Sequence, residues 1–358
     1  LGGVMFAYAH GDFQKAFFHW DAMWYQFVVD EGYDKSMPIY APLSPECDIS
    51  QRTCMRSFAF FPLFPLLTKA ITYFGISSLY AGFIVSNLAH LGILLLLYKL
   101  ATTYWQGKFN AYWPVLLMLF FPTAYVFGAY MTESLFLFLL LAGYLLAWKK
   151  QWVYAGLIGM LLSATRNTGV LFALSYVLLW LEQNHYQYKL ILKDKKFLIG
   201  LLLIPVGLLA FMVFLYFYLG DPLAFWKIQA YWGKGLSPFG PIGDMIFALY
   251  DWHRETNPYN HLYNLSYLIL TLGLFFINLK KKYFPMSMNV ILLWLLVPLT
   301  SGTTTCFPRY ASVLFPIYLY IPYLLRNHKR LFYLVLAISL IIAFAFGLFY
   351  TLRLTITT

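Results

Sequence analysis

Residues 331–350 read LFYLVLAISLIIAFAFGLFY, twenty residues without a charge. An apolar helix of about 20 residues spans the ~30 Å hydrocarbon core of a bilayer. Only α-helices and closed β-barrels satisfy every backbone polar group at that depth. A barrel strand alternates between apolar and polar residues. Neither Leu334–Phe349 nor Leu91–Leu97 alternates. The stretch therefore predicts an all-α, polytopic integral membrane protein.

The rest of the chain repeats the pattern. Of its 358 residues, 61% are hydrophobic and 11% are charged, whereas about 25% of a soluble globular chain is charged. Spanning helices are expected at Leu79–Tyr98, Tyr112–Tyr130, Ser134–Trp148, Val153–Ala164, Gly169–Leu181, Phe197–Leu219, Leu262–Asn278, Met286–Leu299, Ser312–Leu325 and Leu331–Tyr350. They form one transmembrane domain, residues 1–358, with about ten or eleven segments. Leu1–Ala9, apolar but too short to span, reads as the stump of a first helix. Phe58–Phe74 is broken by Pro62 and Pro65 and reads as an interfacial or re-entrant piece. Val153–Ala164 and Gly169–Leu181 are each too short to cross alone. They meet at Thr165-Arg166-Asn167-Thr168, and short helices joined at a polar break are a usual way to keep a cavity in a membrane protein.

A formal charge of +11 raises the question of nucleic acid, but the basic residues sit in short clusters between apolar runs. With Lys99 and Lys108 in the cytoplasm and strict alternation, Lys149 and Lys150 fall on the same side. So do Lys189, Lys193, Lys195 and Lys196, then Lys280, Lys281 and Lys282, then Arg326, Lys329 and Arg330. This is the positive-inside pattern. Of the acidic residues, only Glu182 and Asp194 accompany them. Residues 10–78 become a first outward loop with interfacial helices, and residues 220–261 a second outward, amphipathic segment. The Arg166 break and Ser301–Tyr310 also face outward. Any chemistry is expected on that face.

The densest outward constellation is His19-Trp20-Asp21, followed by Trp24-Tyr25 and Gly32-Tyr33. An aspartate among aromatics at a membrane surface has the makings of a general base for a hydroxyl. The aromatics either stack on a sugar or form an interfacial belt around a solvated acid. Arg166 sits at membrane depth, where charges are functional by default. Its planar fork suits a phosphate, and the alternative is an ion pair with Glu133. Glu133 itself either pairs with Arg166 or accepts a hydrogen bond from a substrate hydroxyl. Arg309 is a second outward arginine, either a phosphate contact or a helix-start anchor. Phe225, Gln229 and Trp232 recur at helical spacing, as on an amphipathic helix lying on the membrane; they anchor it or touch substrate. Asp30, Glu31 and Asp34 are a solvated turn or a divalent metal site, and no metal ligand is assigned. Cys47 and Cys54 share one polar loop and can pair in an oxidising compartment. No Walker loop, dinucleotide fingerprint or HExxH zinc motif is present.

Phe18-His19-Trp20-Asp21 with Trp24-Tyr25 and Gly32-Tyr33, then Phe60-Phe61-Pro62-Leu63-Phe64-Pro65, resembles the opening of the PIG-V mannosyltransferase family. Tyr130-Met131-Thr132-Glu133-Ser134, Ala164-Thr165-Arg166-Asn167-Thr168-Gly169, Gly220-Asp221-Pro222 and Pro308-Arg309-Tyr310 are similar too, in family order over most of the chain. The long loop carrying Cys47 and Cys54 has no counterpart. The resemblance implies a GT-C glycosyltransferase: a helical bundle with its active site on the lumenal or periplasmic side. It implies a polyprenyl-phosphate sugar as donor and a lipid-linked or glycan hydroxyl as acceptor, with inversion at the sugar. Asp21 would be the base, Arg166 and Arg309 the phosphate contacts, and His19, Trp20, Trp24, Tyr25, Glu133, Gln229 and Trp232 the substrate-binding residues. The setting would be a bacterial cytoplasmic membrane, or the endoplasmic reticulum in a eukaryote. The alternative function is a transporter or flippase of a lipid-linked sugar, which would place polar residues throughout the membrane depth.

The charge pattern predicts that single cysteines placed at Lys150, Lys195 and Lys281 in a Cys-free background stay unlabelled when intact cells meet an impermeant thiol reagent. Labelling of any of them from outside would contradict the topology.

Overall fold

A computed structural model describes residues 18–19, 21–33, 57–105, 110–229, 235, 237, 240–250, 258–300 and 307–351. The expected stump Leu1–Ala9, the Cys47–Cys54 loop, Trp20, Asp34 and Trp232 lie outside them. The described residues form a helical bundle, in which four helices are long and apolar enough to cross a membrane: Ser78–Trp105, Lys195–Leu219, His261–Lys281 and Lys329–Leu348. The remaining expected segments are helical too, but shorter or broken. Tyr112–Tyr130 is not one helix. It stops at Leu119, turns through Phe121-Pro122, and resumes only as Tyr125–Gly128, because proline lacks the N–H that a helix interior needs. Met286–Leu299 passes through a 3-10 turn at Leu293–Leu295, and the Ser312–Leu325 region divides into Phe307–Ser312 and Pro316–Leu324.

Glu133–Trp148 is the inner helix. Its Leu-rich sequence has no β-branched residue to restrict a helical rotamer. Leu135, Phe136, Leu137, Leu139, Leu140, Leu141, Tyr144 and Leu145 are all buried, as expected of a helix that is apolar all round. It packs between Ser78–Trp105 and Trp152–Thr165. Lys329–Thr351 is the opposite case, leaving Leu331, Tyr333, Leu334, Ile338, Leu340 and Ile341 exposed. A row of large apolar side chains facing outward along a helix with no charge after Arg330 calls for an apolar surrounding.

Trp152–Thr165 packs on the kinked helix Lys195–Leu219 through glycine. A Cβ on Gly156 would collide with the Gly200 carbonyl, and one on Gly207 with the Met160 carbonyl. Small residues of this kind let helix backbones approach closely where packing drives association. The kink itself is at Pro205, between Lys195–Leu203 and Val206–Leu219. Ser163 is inserted there: its Oγ donates to the Ile204 carbonyl at 2.7 Å and accepts from the Leu208 N–H at 3.2 Å. A hydroxyl from a neighbouring helix thus satisfies groups that the proline kink has pulled apart.

The lysine-rich helix ends meet at one end of the bundle. Gln183 donates to the Trp148 carbonyl at 3.0 Å, and Tyr104 to the Tyr283 carbonyl at 3.0 Å. The Arg326 guanidinium lies over the rings of Tyr323 and Tyr283, at 4.2 and 5.5 Å. The two acids at this end are helix caps. Asp194 accepts from the Phe197 N–H at 3.0 Å and from the Trp180 indole at 2.9 Å. Glu182 accepts from Met286 N–H and from the Ser287 hydroxyl, the latter at 2.5 Å. Both satisfy amide donors that a helix start leaves orphaned.

Two of the segments expected to face outward take definite shape. Leu63–Thr72 buries Phe64, Pro65 and Thr68 and leaves Leu66, Tyr73 and Phe74 exposed, the last two beyond its C-terminal end. Pro65 sits in its first turn, where no N–H is missed. Around Phe225, where an amphipathic helix is expected, the described residues form one short helix followed by a 3-10 turn at Ile228 and Gln229. The helix spans only Ala224–Lys227, burying Phe225 and leaving Trp226 exposed. Gly220, at φ +77°, ends the preceding helix in the left-handed region, and Asp221 accepts the Leu223 N–H to form the next turn.

Helix contact through glycine predicts that Gly156→Leu lowers stability by about 1–3 kcal/mol or more. Gly273→Ala, where the added methyl meets nothing within 4 Å, should be neutral or raise it by up to about 1 kcal/mol. Thermal unfolding of the detergent-purified variants checks both; equal behaviour of the two would contradict the packing.

Candidate functional site

Four charged side chains from four distant segments converge at the other end of the bundle. Asp21 opens the helix Asp21–Glu31, and Glu133 opens Glu133–Trp148. Glu133 and Trp148 therefore lie about 22 Å apart along one helix, with Trp148 at the lysine-rich end. Arg166 is the extended residue, φ −154° and ψ 146°, between Trp152–Thr165 and the 3-10 turn Asn167–Leu171. The turn folds back so closely that a Cβ on Gly169 would collide with the Leu162 carbonyl. Arg309 lies in Phe307–Ser312.

Glu133 is the hub. Its Oε1 accepts from Arg166 Nη1 at 3.1 Å, from Arg309 Nε at 3.0 Å and from Arg309 Nη2 at 2.7 Å. Arg309 Nη2 also donates to Asp21 Oδ2 at 2.8 Å. These are charge-assisted bonds, roughly twice as strong as neutral ones. Tyr310 lies against the Arg166 guanidinium, 5.3 Å from ring centroid to Cζ, a cation–π distance. Side-chain exposure grades outward: 0% for Glu133, 6% for Arg309, 17% for Arg166 and 34% for Asp21. Among the described residues two carboxylates meet two guanidiniums, and Asp21 and Arg166 are the more exposed members.

The aromatic residues near Asp21 are engaged in packing. Trp24 stacks on Phe60, centroids 5.7 Å apart. Tyr25, one helical turn after Asp21, meets Phe60 and Phe64 edge-on at 4.9 and 5.2 Å. Its hydroxyl is 3.3 Å from the Thr132 hydroxyl, beside Glu133. Both rings hold the Asp21 helix to the phenylalanine-rich turn, so they position Asp21 whether or not they touch a ligand. His19 is buried and its carbonyl accepts the Ala22 N–H at 3.1 Å. Gln229 is half-buried at the end of its short turn. Asp30 accepts from Ser78 Oγ at 3.1 Å, and Ser78 in turn accepts from Gln26 at 3.0 Å. Among the described residues no three His, Cys, Asp or Glu side chains converge to hold a metal ion.

Of the expected site residues, the structure brings together Asp21, Glu133, Arg166 and Arg309, with Tyr25 adjoining. The Arg166–Glu133 ion pair was one of two readings of those residues. The bridge from Arg309 to Asp21 was not anticipated, nor was Tyr310 as the ring beneath Arg166, and Tyr310 follows Arg309 directly in sequence. Chemically, two guanidiniums side by side form an anion site, and the partly exposed carboxylate beside them can accept a proton. No protein-family model matches the chain, and neither a curated protein nor a solved structure does.

The hub geometry predicts an order of stability. Glu133→Ala leaves two buried or half-buried guanidiniums without their carboxylate, and Arg309→Ala strips Glu133 of two bonds. Each should cost about 3–5 kcal/mol, the scale for breaking a buried pair. Arg166→Ala removes one bond from a more exposed side chain and should cost less. Chemical unfolding of the purified variants gives the order, and an Arg166→Ala as damaging as Glu133→Ala would contradict it.

Proposed function

We propose that this chain is an inverting glycosyltransferase of the GT-C type. It would move a sugar, mannose in the reading followed here, from a polyprenyl-phosphate donor to a hydroxyl of a lipid-linked or glycan acceptor. The observation that carries the reading is the meeting of a partly exposed carboxylate, Asp21, with Arg309, which shares the Glu133 carboxylate with Arg166. These residues come from segments that the lysine pattern assigns to the outward face of a bundle of about ten or eleven spans. In a bacterium that face is periplasmic or external.

The chemistry asks little more of the protein. The acceptor hydroxyl attacks the anomeric carbon from the side opposite the phosphate. Its proton passes to Asp21, the bond from the anomeric carbon to the phosphate oxygen breaks, and the electron pair leaves with the phosphate. The departing phosphate is a weak base and needs no general acid. That is why one well-placed carboxylate suffices where glycoside hydrolysis uses two. The phosphate gains a negative charge as it leaves, and Arg166 and Arg309 are placed to stabilise it. A donor with a long lipid tail is served by a site at the edge of the bilayer, and Leu66 and Phe74, on a segment expected to face outward, are exposed apolar side chains. A transporter would instead carry its polar groups through the bundle, whereas the inner helix Glu133–Trp148 has its one charge at its first residue.

Asp21→Asn keeps a hydrogen-bond acceptor for Arg309 and should fold and insert normally. Its sugar transfer from polyprenyl-phosphate mannose should fall by about 10²–10⁴-fold, the usual cost of losing a general base. Transfer by the purified variant within a few-fold of the unaltered protein would remove Asp21 from that role.

A further inference from the structure

One of the two carboxylate oxygens of Asp21, Oδ2, accepts a charged hydrogen bond from Arg309 Nη2 at 2.8 Å. We propose that Arg309 is a positioning residue that changes partner: a phosphate anion entering between Arg166 and Arg309 draws Arg309 off Asp21 and leaves both oxygens of that carboxylate open to the acceptor hydroxyl. This rests on the glycosyltransferase reading and adds an order to it, donor before acceptor.

Three observations carry it. First, among the described residues the cluster sets two carboxylates against two guanidiniums. An incoming phosphate adds negative charge, and one of the resident acids must yield its place. Second, the two acids on Arg309 are unequal. Glu133 is wholly buried, takes two bonds from Arg309 and one from Arg166. Asp21 is 34% exposed and takes one. Asp21 is therefore the partner that can leave, toward solvent, without uncovering a buried charge. Third, Arg166 turns only Nη1 to Glu133 among the bonds seen here and is 17% exposed, which leaves guanidinium donors on the open side for a phosphate to meet.

The exchange also fits the charge flow of the transfer. As Asp21 takes the hydroxyl proton it loses its negative charge, while the leaving phosphate gains one. Arg309 ends beside the group that has become more negative. Among the described residues, Tyr25 lies within electrostatic reach of Asp21, Glu133 and Arg166, but as a buried hydroxyl bonded to Thr132. His19 is buried two residues before it.

A binding cycle on the full-length, detergent-purified chain tests the exchange without any turnover. Farnesyl phosphate is titrated into the unaltered protein, Asp21→Asn, Arg309→Gln and the double variant. If phosphate and Asp21 compete for Arg309, Asp21→Asn should bind farnesyl phosphate about tenfold more tightly than the unaltered protein. The gain should vanish when Arg309 is Gln. Simple repulsion between Asp21 and phosphate would leave the same gain in both backgrounds, and that result overturns the proposal. So does an Asp21→Asn affinity no better than the unaltered protein's, or no binding of farnesyl phosphate at all. Should Arg309→Gln not fold, Arg309→Lys replaces it: it keeps the charge but not the fork, and the gain should shrink rather than persist. Inorganic phosphate titrated in parallel separates the sources. A gain confined to farnesyl phosphate identifies a lipid phosphate as the ligand, and an equal gain with the free ion identifies the phosphate group alone; either supports the exchange. Sugar transfer is measured separately. A chain that shows the Arg309-dependent gain but transfers no sugar fails the glycosyltransferase reading, and one that transfers sugar without the gain fails the exchange.

Discussion

A single buried carboxylate oxygen, Glu133 Oε1, holds two guanidiniums that reach it from opposite directions along the chain, and the architecture of this end of the bundle depends on it. A carboxylate with no exposure is tolerable only when paired and hydrogen-bonded. Arg166 and Arg309 supply that pairing, and each would itself be costly at such depth without Glu133. The consequence is geometric. The polar break after Thr165, the start of the inner helix and the segment around Arg309 are tied to one point. The fourth member, Asp21, is joined more loosely and from the exposed side.

That difference separates the acids of this protein into two kinds. Glu182 and Asp194, at the lysine-rich end, spend their oxygens on helix-start amides and on Ser287 and Trp180. They stabilise junctions and present nothing to a ligand. Glu133 is bound into the arginine pair in the same structural spirit, and in doing so it holds two guanidiniums together. Among the described acids, Asp21 combines charge, partial exposure and a guanidinium neighbour. The proline kink at Pro205, the serine inserted into it and the Gly156–Gly200 contact lie along Trp152–Thr165, the helix whose end presents Arg166. Close backbone packing of that helix thus fixes where the guanidinium begins.

Much of this was legible in the sequence, for a physical reason. Long charge-free runs have one stable form in an apolar medium, so Ser78–Trp105 and Lys329–Thr351 were readable from composition alone. Arg166 stood out because a cation between two short apolar helices needs a partner. Helix ends were less readable. Tyr112–Tyr130 is apolar throughout but stops at Phe121-Pro122, and the spacing of Phe225, Gln229 and Trp232 promised a longer helix than Ala224–Lys227. The meeting of Asp21 with Arg309 was not readable at all. The two are separated by 288 positions, and nothing local in either segment encodes which carboxylate an arginine will reach. Nor did residue type tell that Trp24 and Tyr25 would be spent on packing against Phe60 and Phe64, since a ring that stacks on a sugar and one that stacks on phenylalanine are the same in sequence.

The central claim is that the arginine pair held by Glu133 receives a lipid-linked phosphate beside Asp21. An experimentally determined structure of the chain with a polyprenyl phosphate bound tests it most directly. The account predicts the phosphate within hydrogen-bond distance of both Arg166 and Arg309, Glu133 still joined to both, and Asp21 no longer on Arg309. A phosphate seated away from these arginines, with the four-residue cluster unchanged, would contradict it.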